Sequence, residues 1–420
     1  MAALASGATG RRDGLAPQDE SRLDELRSLA VSVGAEVVGA VFQRRSAPDP
    51  GTFLGKGKLE DLKREVVAGG ADLVVFDNDL TPAQGKKLED ALGVRVLDRS
   101  ELILDIFADR ARTREAKLQV ELAQLQYLLP RLRRMWTHLS RIRGGIGLRG
   151  PGETQLEVDR RVIRDRISIL KEKLADIERR RELQRKGRHD DWNVALVGYT
   201  NVGKSTIMNR LAREHLSAEN RLFATLDATT RRIELPEGEV LLLTDTVGFI
   251  RDLPHHLVAS FRATLEEVVH ADLLLHVVDV ADPEHPRQMR VVESVLEGLG
   301  VGQTPVFYVF NKLDKIPAAD RAAVRARVLA DHPNAVVASA VEPRGLVALE
   351  EALTRFAREG TRRVVVTLPL SETRVLARLY EIGEVIERRY TEEAIEVELR
   401  ARPEVVDRLR HEGVALRAAS

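Results

Sequence analysis

Residues 192–206 read WNVALVGYTNVGKST, and this stretch decides the fold of the middle of the chain. An apolar run typical of a buried strand leads into a glycine-containing loop and then into the start of a helix. Residues 198–205 fit the spacing GxxxxGK[ST] without deviation, which predicts a phosphate-binding loop. Backbone N–H groups from 200 to 206 are expected to wrap phosphates, because glycine at 203 permits close approach. Lys204 is expected to bridge the β- and γ-phosphates, and Ser205 to ligate Mg²⁺.

Two further motifs follow apolar runs and predict how the triphosphate and the base are read. DTVG at 245–248 places Asp245 where a carboxylate supports the Mg²⁺ site, and its Gly248 N–H can sense a γ-phosphate. NKLD at 311–314 ends in Asp314, which can accept hydrogen bonds from N1–H and the 2-amino group of guanine. Adenine cannot supply these donors, so this residue predicts selection of GTP over ATP.

The base site is completed by residues on either side of that carboxylate. Asn311 is expected to tie the base loop to the phosphate loop, and Lys312 to lie along the base plane. In VVASAV at 336–341, the backbone of Ser339 and Ala340 can contact the guanine O6. Each tetrapeptide alone is also typical of an ordinary turn, but four motifs in order at strand ends predict a nucleotide site. The predicted set is Gly198, Tyr199, Thr200, Asn201, Val202, Gly203, Lys204, Ser205, Thr206, Asp245, Thr246, Val247, Gly248, Asn311, Lys312, Leu313, Asp314, Ser339, Ala340 and Val341.

Two features of the catalytic chemistry stay open at the level of residues. Between the phosphate loop and DTVG lies RLFATLDATTRR at 221–232, where Thr225, Thr229 and Thr230 are all able to complete the Mg²⁺ shell. After DTVG stands Phe249, where well-known switches carry a water-orienting glutamine. A backbone group in 223–230, a side chain ordered with the switches, or a partner must then orient the water.

The remaining segments predict an α/β protein with a helical insertion. Strands alternate with helices in 21–109, which predicts an N-terminal α/β domain with a parallel sheet. Leucines and isoleucines at heptad-like spacing predict a long antiparallel helical hairpin in 110–188, or else two helices docked separately. Residues 189–360 are expected to form a Ras-like P-loop G domain, 361–420 a small C-terminal α/β module, and 1–20 a flexible leader.

The predicted hairpin tip is strongly basic. Between positions 131 and 152 it contains six arginines, one tryptophan and five glycines, with no acidic residue. Arginines neutralise phosphates and an exposed tryptophan can stack on bases, so the tip is expected to bind RNA. The alternative is a solvated loop with the tryptophan packed on the helices. The RNA-binding residues of this hypothesis are Arg131, Arg133, Arg134, Trp136, Arg141, Arg143 and Arg149.

Composition narrows the functional classes. The 420 residues contain no cysteine, which excludes disulfides, thiolate metal sites and cysteine nucleophiles. The chain has 65 basic and 65 acidic residues. We expect a cytoplasmic protein, because the sequence has no signal-peptide core and no apolar run long enough to span a bilayer. NKLD, which selects guanine, argues against a metabolic P-loop kinase.

These motifs resemble the HflX GTPases of the Obg–HflX group of translation-associated GTPases. The resemblance covers nearly the whole chain and includes GKGKLEDL at 55–62, GPGETQLE at 150–157, and FATLDATTRR followed by DTVGFIRDLPHHLV. It implies that Thr225 is the Mg²⁺-ligating threonine and that Phe223, Ala224, Thr225, Leu226 and Asp227 line the nucleotide. Ala228 departs from the family, where proline is common, and Leu148 stands where threonine is common.

The resemblance also implies partners. Family members bind the large ribosomal subunit and its rRNA, with the basic loop directed toward the peptidyl-transferase centre, and some split stalled or idle ribosomes. We expect a GTPase, monomeric when free, with Lys204, Thr225 and Gly248 as catalytic residues, slow alone and stimulated by the large subunit. The alternatives are a large-subunit assembly GTPase and an ATP-dependent RNA remodeller that binds ATP in the N-terminal domain, for example at GKGK.

Overall fold

The computed structural model describes residues 2–9, 17–135, 151–185, 191–213, 222–223, 225–252 and 262–419. The chain divides into two compact units that cut across the five predicted segments. The first unit comprises residues 1–177 with two segments from farther along the chain, 219–227 and 250–264. The second unit comprises 178–218, 228–249 and 265–420. Among the described residues, no helix is both long enough and apolar enough to cross a membrane.

The first unit begins with a four-stranded parallel sheet whose strand order is β2-β1-β3-β4. The predicted strands and helices of 21–109 are present, and Leu62, Phe76 and Leu88 are in the core between sheet and helices. Its elements are β1 (Ala2–Thr9), α1 (Pro17–Ser32), β2 (Val37–Arg45), α2 (Lys56–Gly69), β3 (Leu73–Phe76), α3 (Pro82–Leu92), β4 (Arg95–Asp98) and α4 (Arg99–Arg110).

The expectation of a flexible leader is wrong for residues 2–9. They form β1, which pairs with β2 on one side and with β3 on the other. The sequence AALASGAT has small residues without polar and apolar alternation, so it carries no strand signal of its own. Its backbone groups nevertheless satisfy the inner edges of two parallel strands, which would otherwise be unpaired.

Two long helices follow α4 along the chain and confirm the hairpin. They are α5 (Arg114–Met135) and α6 (Pro151–Arg185). Arg166 on α6 forms a two-pronged ion pair with Glu121 on α5, with N–O distances of 2.6 and 3.0 Å. Leu170, in the predicted apolar seam, is fully buried. At about 1.5 Å per residue, the 35 residues of α6 extend over about 52 Å.

The second unit contains the predicted G domain, a six-stranded sheet in the order β10-β9-β8-β5-β7-β6. All neighbouring strands are parallel except the pair β6 and β7. Its elements are β5 (Trp192–Gly198), α7 (Lys204–Leu211), β6 (Thr229–Glu234), β7 (Val240–Asp245), α8 (Arg262–Val269), β8 (Leu273–Asp279), α9 (His285–Gly298), β9 (Val306–Asn311), α10 (Arg321–Asp331), β10 (Val336–Val337) and α11 (Val347–Glu359). Of these, α8 begins within the 250–264 segment of the first unit.

The C-terminal module is a βαββαβ unit, the ferredoxin-like arrangement. Its antiparallel sheet has the order β12-β13-β11-β14. Its elements are β11 (Arg362–Pro369), α12 (Thr373–Ile382), β12 (Glu384–Tyr390), β13 (Ala394–Ala401), α13 (Pro403–His411) and β14 (Ala415–Ala418).

One buried arginine joins this module to the G domain within the second unit. The Arg402 guanidinium lies 4.2 Å from the ring centroid of Trp192. It also donates hydrogen bonds to the Asp191 carbonyl at 2.6 Å and to the Asp272 carboxylate at 2.9 Å. The module is therefore fixed at the start of β5, the strand that leads to the phosphate loop.

Candidate nucleotide site

The four predicted motifs follow β5, β7, β9 and β10, at the carboxyl ends of four strands of one sheet. In open α/β sheets ligands bind at this edge. Gly203, with φ +99°, immediately precedes α7, so the helix N-terminus opens onto the loop. A Cβ at this position would lie 2.4 Å from Asn311 Nδ2. Only glycine fits, as the sequence pattern requires.

Lys204 is buried at the start of α7. Its ammonium donates to the carbonyl oxygens of Gly198 at 3.2 Å and Tyr199 at 3.0 Å. Burial lowers the pKa of Lys204 to about 8, and the nearby Asp245 carboxylate opposes that shift. Phosphate oxygens are stronger partners for an ammonium than carbonyls are, so this side chain is suited to binding an anion.

The residues beside Lys204 fit a Mg²⁺ ion. Ser205 Oγ donates to Asp245 Oδ2 at 2.6 Å, which directs the hydroxyl lone pairs away from the carboxylate. Within the described ranges, no group of three or more His, Asp or Glu residues could hold a metal ion. A hydroxyl backed by a carboxylate suits Mg²⁺, which is usually bound by few protein ligands together with substrate phosphates.

Phe249 is buried and its backbone extends the sheet edge. Its N–H donates to the Gly198 carbonyl at 3.1 Å, and its carbonyl accepts from Thr200 N–H at 2.7 Å. Phe249 therefore places a buried apolar side chain at the position where well-known switches carry a water-orienting glutamine. The expectation that amides from 200 onward wrap phosphates needs one correction, because the Thr200 amide is bonded to Phe249.

Gly248 lies against the phosphate loop. A Cβ there would be 2.8 Å from Thr200 Cα and 3.0 Å from Lys204 Nζ. Any side chain would occupy space beside the ammonium, so the backbone at 248 reaches the loop only as glycine. Thr246 is also fixed, since its hydroxyl donates to the Leu196 carbonyl at 2.6 Å.

Asn311 forms the predicted tie between the base loop and the phosphate loop. Asn311 Nδ2 donates to the Val202 carbonyl at 2.9 Å, and its Oδ1 accepts from Ala340 N–H at 3.0 Å. This one side chain joins the phosphate loop to the loop after β10. Ser339 Oγ donates to Asp314 Oδ1 at 2.6 Å, which fixes the carboxylate that is predicted to read guanine. Lys312 pairs with Asp279 at 2.8 Å.

The residues around Thr225 do not belong to the unit that contains the phosphate loop and the base loop. They belong to the first unit, and Ala224 lies outside the described residues. The buried Phe223 ring packs edge-on against Phe107, with centroids 4.7 Å apart. The Asp227 carboxylate accepts hydrogen bonds from the N–H groups of Arg112 and Thr113, which directly precede α5. The nucleotide-lining assignment is therefore corrected for these two side chains, which contact helices of the first unit.

The RNA-binding assignment of Arg131 also needs a correction, because its guanidinium is bound by other residues of the first unit. It donates to Asp98 at 2.8 Å and to the Leu80 carbonyl at 3.0 Å, and it stacks 3.5 Å from the Tyr127 ring centroid. Burial, together with Asp98, raises the pKa of Tyr127. Arg133 and Arg134 lie in the last turns of α5. The other predicted RNA-binding residues, Trp136, Arg141, Arg143 and Arg149, lie outside the described residues.

Sequence reasoning missed a buried ionic cluster in the first unit. Arg99 contacts Asp77 at 2.7 Å, Glu25, and the Arg251 carbonyl at 2.9 Å. The positions of these residues in the sequence could have predicted the cluster. Asp77 and Arg99 directly follow β3 and β4, so both lie at the carboxyl edge of a parallel sheet.

The fold and the site together define a P-loop GTPase. A family described as "50S ribosome-binding GTPase" matches residues 193–312. Two others, described as "GTP-binding GTPase N-terminal" and "GTP-binding GTPase Middle Region", match 20–108 and 110–188.

Relatives align with almost the entire chain. "GTPase HflX" of Caldanaerobacter subterraneus subsp. tengcongensis is 48% identical over 94% of this chain and 91% of its own. "GTPase HflX" of Escherichia coli is 45% identical over 93% and 91%. The chain belongs to the HflX family of GTPases, and it is a GTP hydrolase that binds GTP and GDP.

A solved structure with a similar extent is the "SsGBP and GDP complex". It covers 86% of this chain and 99% of its own, with 23% identity and a TM-score of 0.47.

Proposed function

We propose that the protein binds the large ribosomal subunit in its GTP-bound form, splits stalled or idle ribosomes, and is released by GTP hydrolysis. The observation that carries the proposal is the family membership over nearly the full chain, with a G domain of the "50S ribosome-binding GTPase" type. Ribosomal binding would then take place in the cytoplasm, by a protein that is monomeric when free.

The helical hairpin and its basic segment supply a means of contacting rRNA. The segment between α5 and α6 carries Arg141, Arg143 and Arg149 without acidic residues, and it is joined to a helix about 52 Å long. Each phosphate that such arginines neutralise releases counterions, so binding should weaken as salt rises. We propose that this segment is inserted toward the peptidyl-transferase centre.

In the proposed cycle, the nucleotide site controls when the protein binds the ribosome and when it is released. Mg²⁺ held by Ser205 and Thr225 would neutralise charge that develops on the phosphates. Lys204 binds the β- and γ-phosphates, Gly248 N–H senses the γ-phosphate, and Asp314 reads guanine. Because buried Phe249 cannot orient water, hydrolysis should be slow in the free protein. A ribosomal group that supplies the missing function could accelerate it by up to about 10⁵-fold.

Sedimentation tests this proposal. The protein loaded with a non-hydrolysable GTP analogue should co-sediment with large subunits, and the GDP-loaded protein should not. In a gradient, the analogue-loaded protein should convert intact ribosomes to subunits. The proposed cycle would be contradicted if the GDP-loaded protein bound large subunits as well as the analogue-loaded protein does. It would also be contradicted if ribosomes were converted to subunits without any preference for the analogue-loaded form in binding. Binding without subunit separation would leave an assembly GTPase as the better description.

A charge-matched pair of variants isolates the basic segment. Replacing Arg141, Arg143 and Arg149 by Gln should weaken subunit binding and lower the salt slope by about 2–3. Basal hydrolysis should stay unchanged. The control replaces Arg290, Arg325 and Arg327, exposed on α9 and α10, by Gln. Equal losses in the two variants would show that only net charge matters.

A further inference from the structure

The carboxylate that is expected to read guanine lies in a very short turn. Asp314 is the middle residue of a single 3₁₀ turn, Leu313–Lys315. The turn's own hydrogen bonds reach the carbonyls of Lys312 and Leu313, at 3.0 Å each. A single turn of this kind contributes little rigidity by itself, because the geometry of 3₁₀ hydrogen bonds is poor. The orientation of Asp314 therefore depends on contacts from other elements.

Arg321, the first residue of α10, donates to two carbonyls of that segment. Its Nη2 donates to the Asp314 carbonyl at 2.8 Å, and its Nε donates to the Ile316 carbonyl at 2.9 Å. The guanidinium is planar and its donors point in fixed directions. Because both carbonyls are bound by one rigid group, the path of the main chain from Asp314 to Ile316 is fixed.

The remaining donor of Arg321 joins this turn to the loop after β10. Its Nη1 pairs with Glu342 Oε1 at 2.9 Å. Glu342 N–H donates to Ser339 Oγ at 3.3 Å, and the same hydroxyl donates to Asp314 Oδ1 at 2.6 Å. These contacts close a ring, in which Arg321 fixes the carbonyl of Asp314 and Ser339 fixes its carboxylate.

The loop after β10 is itself folded tightly around Ser339. Ser339 N–H donates to the Gly345 carbonyl at 3.1 Å, and Gly345 N–H donates to the Glu342 carbonyl at 3.1 Å. A Cβ at position 345 would lie 1.9 Å from the Ser339 carbonyl oxygen, so only glycine permits this approach. A shift of Glu342 would therefore also move the hydroxyl that donates to the Asp314 carboxylate.

We propose that Arg321 is a positioning residue for guanine recognition, acting through Asp314 and Ser339. A carboxylate can accept from both N1–H and the 2-amino group only when it is aligned with both donors, and hydrogen bonds weaken steeply as alignment is lost. Loss of Arg321 should therefore cost more affinity for guanine than for hypoxanthine, which lacks the 2-amino group. All of these residues belong to the second unit. The inference rests on the proposed reading of guanine by Asp314.

The test measures by calorimetry how tightly the full chain binds GDP and inosine diphosphate, whose base is hypoxanthine. In Arg321→Ala, the affinity for GDP should fall about 6–10-fold and that for inosine diphosphate about twofold. The preference for guanine should thus shrink about 3–5-fold. Arg321→Lys keeps the charge but not the planar fork, and its preference should be intermediate. The ratio is taken within each variant, so a lower folded fraction leaves it unchanged.

Arg325→Ala is the matched control. Arg325 is exposed one turn further along α10, so its replacement removes the same charge from the same helix. Its preference for guanine should equal that of the unaltered protein. The inference is overturned if Arg325→Ala loses as much preference as Arg321→Ala. It is also overturned if both Arg321→Ala and Arg321→Lys keep the full preference.

Arg321→Ala in the Asp314→Asn background shows whether the arginine acts through that carboxylate. With the carboxylate replaced, the further change in guanine preference should be less than about 1.5-fold. A change as large as in the unaltered background would refute action through Asp314.

Asp314→Asn alone separates this inference from the role on which it rests. If this variant keeps the full preference for guanine, the proposed reading of the base fails, and the inference fails with it. If it loses the preference while Arg321→Ala keeps it, only the role of Arg321 is refuted.

Discussion

The phosphate loop and the segment around Thr225 differ in the neighbours that hold them. The loop is fixed inside the second unit, by Asn311 on one side and by the backbone of Phe249 on the other. The segment around Thr225 is fixed inside the first unit, by Phe107 and Thr113. The phosphate loop is thus held by residues of the second unit, whereas the segment around Thr225 is held by helices of the first unit.

Because residues of the second unit alone hold the phosphate loop, its contacts can be tested through nucleotide affinity. Changes in the loop should weaken the binding of both GTP and GDP, because both nucleotides have the α- and β-phosphates that the loop is expected to contact. The following substitutions therefore probe the phosphate contacts and the base contacts of the second unit.

The largest effect is expected from Lys204→Ala. The side chain can form about two hydrogen bonds to ionised phosphates at about 1.5–3 kcal/mol each, so affinity should fall about 10²–10⁴-fold. Calorimetry should show a loss for both GTP and GDP. Lys315→Ala, at an exposed lysine just after NKLD, provides the control and should bind normally. If only the affinity for GTP fell, Lys204 would not be part of a site shared by GTP and GDP.

A smaller loss is expected from Asp314→Asn. The substitution replaces one acceptor by a donor facing guanine, which should weaken GTP and GDP binding about 10–100-fold. Xanthosine triphosphate carries an oxygen in place of the 2-amino group and should bind the variant better than GTP does. Asp320→Asn, an exposed neighbour, should leave nucleotide preference unchanged. Retained GTP preference in Asp314→Asn would refute base reading at this carboxylate.

The smallest effect concerns pH. Burial lowers the pKa of free-state Lys204 to about 8, and bound phosphates favour its charged form. Nucleotide binding should therefore take up a proton above that pKa, and GDP affinity should fall about fourfold between about pH 7 and about pH 8.5. Lys204→Arg, which stays charged over this range, should abolish the slope. If GDP affinity changed equally with pH in this variant, a titrating group other than Lys204 would be responsible.

The site was predicted from sequence as far as chemistry requires fixed spacing. Gly203 and Lys204 must be adjacent for one loop to wrap phosphates, and Asn311 and Asp314 must share one turn to reach both loop and base. The structure confirms the predicted tie between Asn311 and the phosphate loop. The amide of Thr200 was assigned wrongly, because its partner Phe249 comes from a distant strand end.

The alternation of strands and helices in the G domain, the two long helices and the phosphate-binding motif could be read from the sequence alone, because periodicity and short motifs are local properties of the chain. Tertiary contacts were needed to show that residues 2–9 form an inner strand, that Arg131 pairs with Asp98, and that Asp227 accepts a hydrogen bond from Thr113 just before α5. Each of these depends on which distant residue arrives beside it. A carboxylate, a guanidinium or an extended backbone has the same sequence signature whether its partner is solvent, a ligand or another part of the protein.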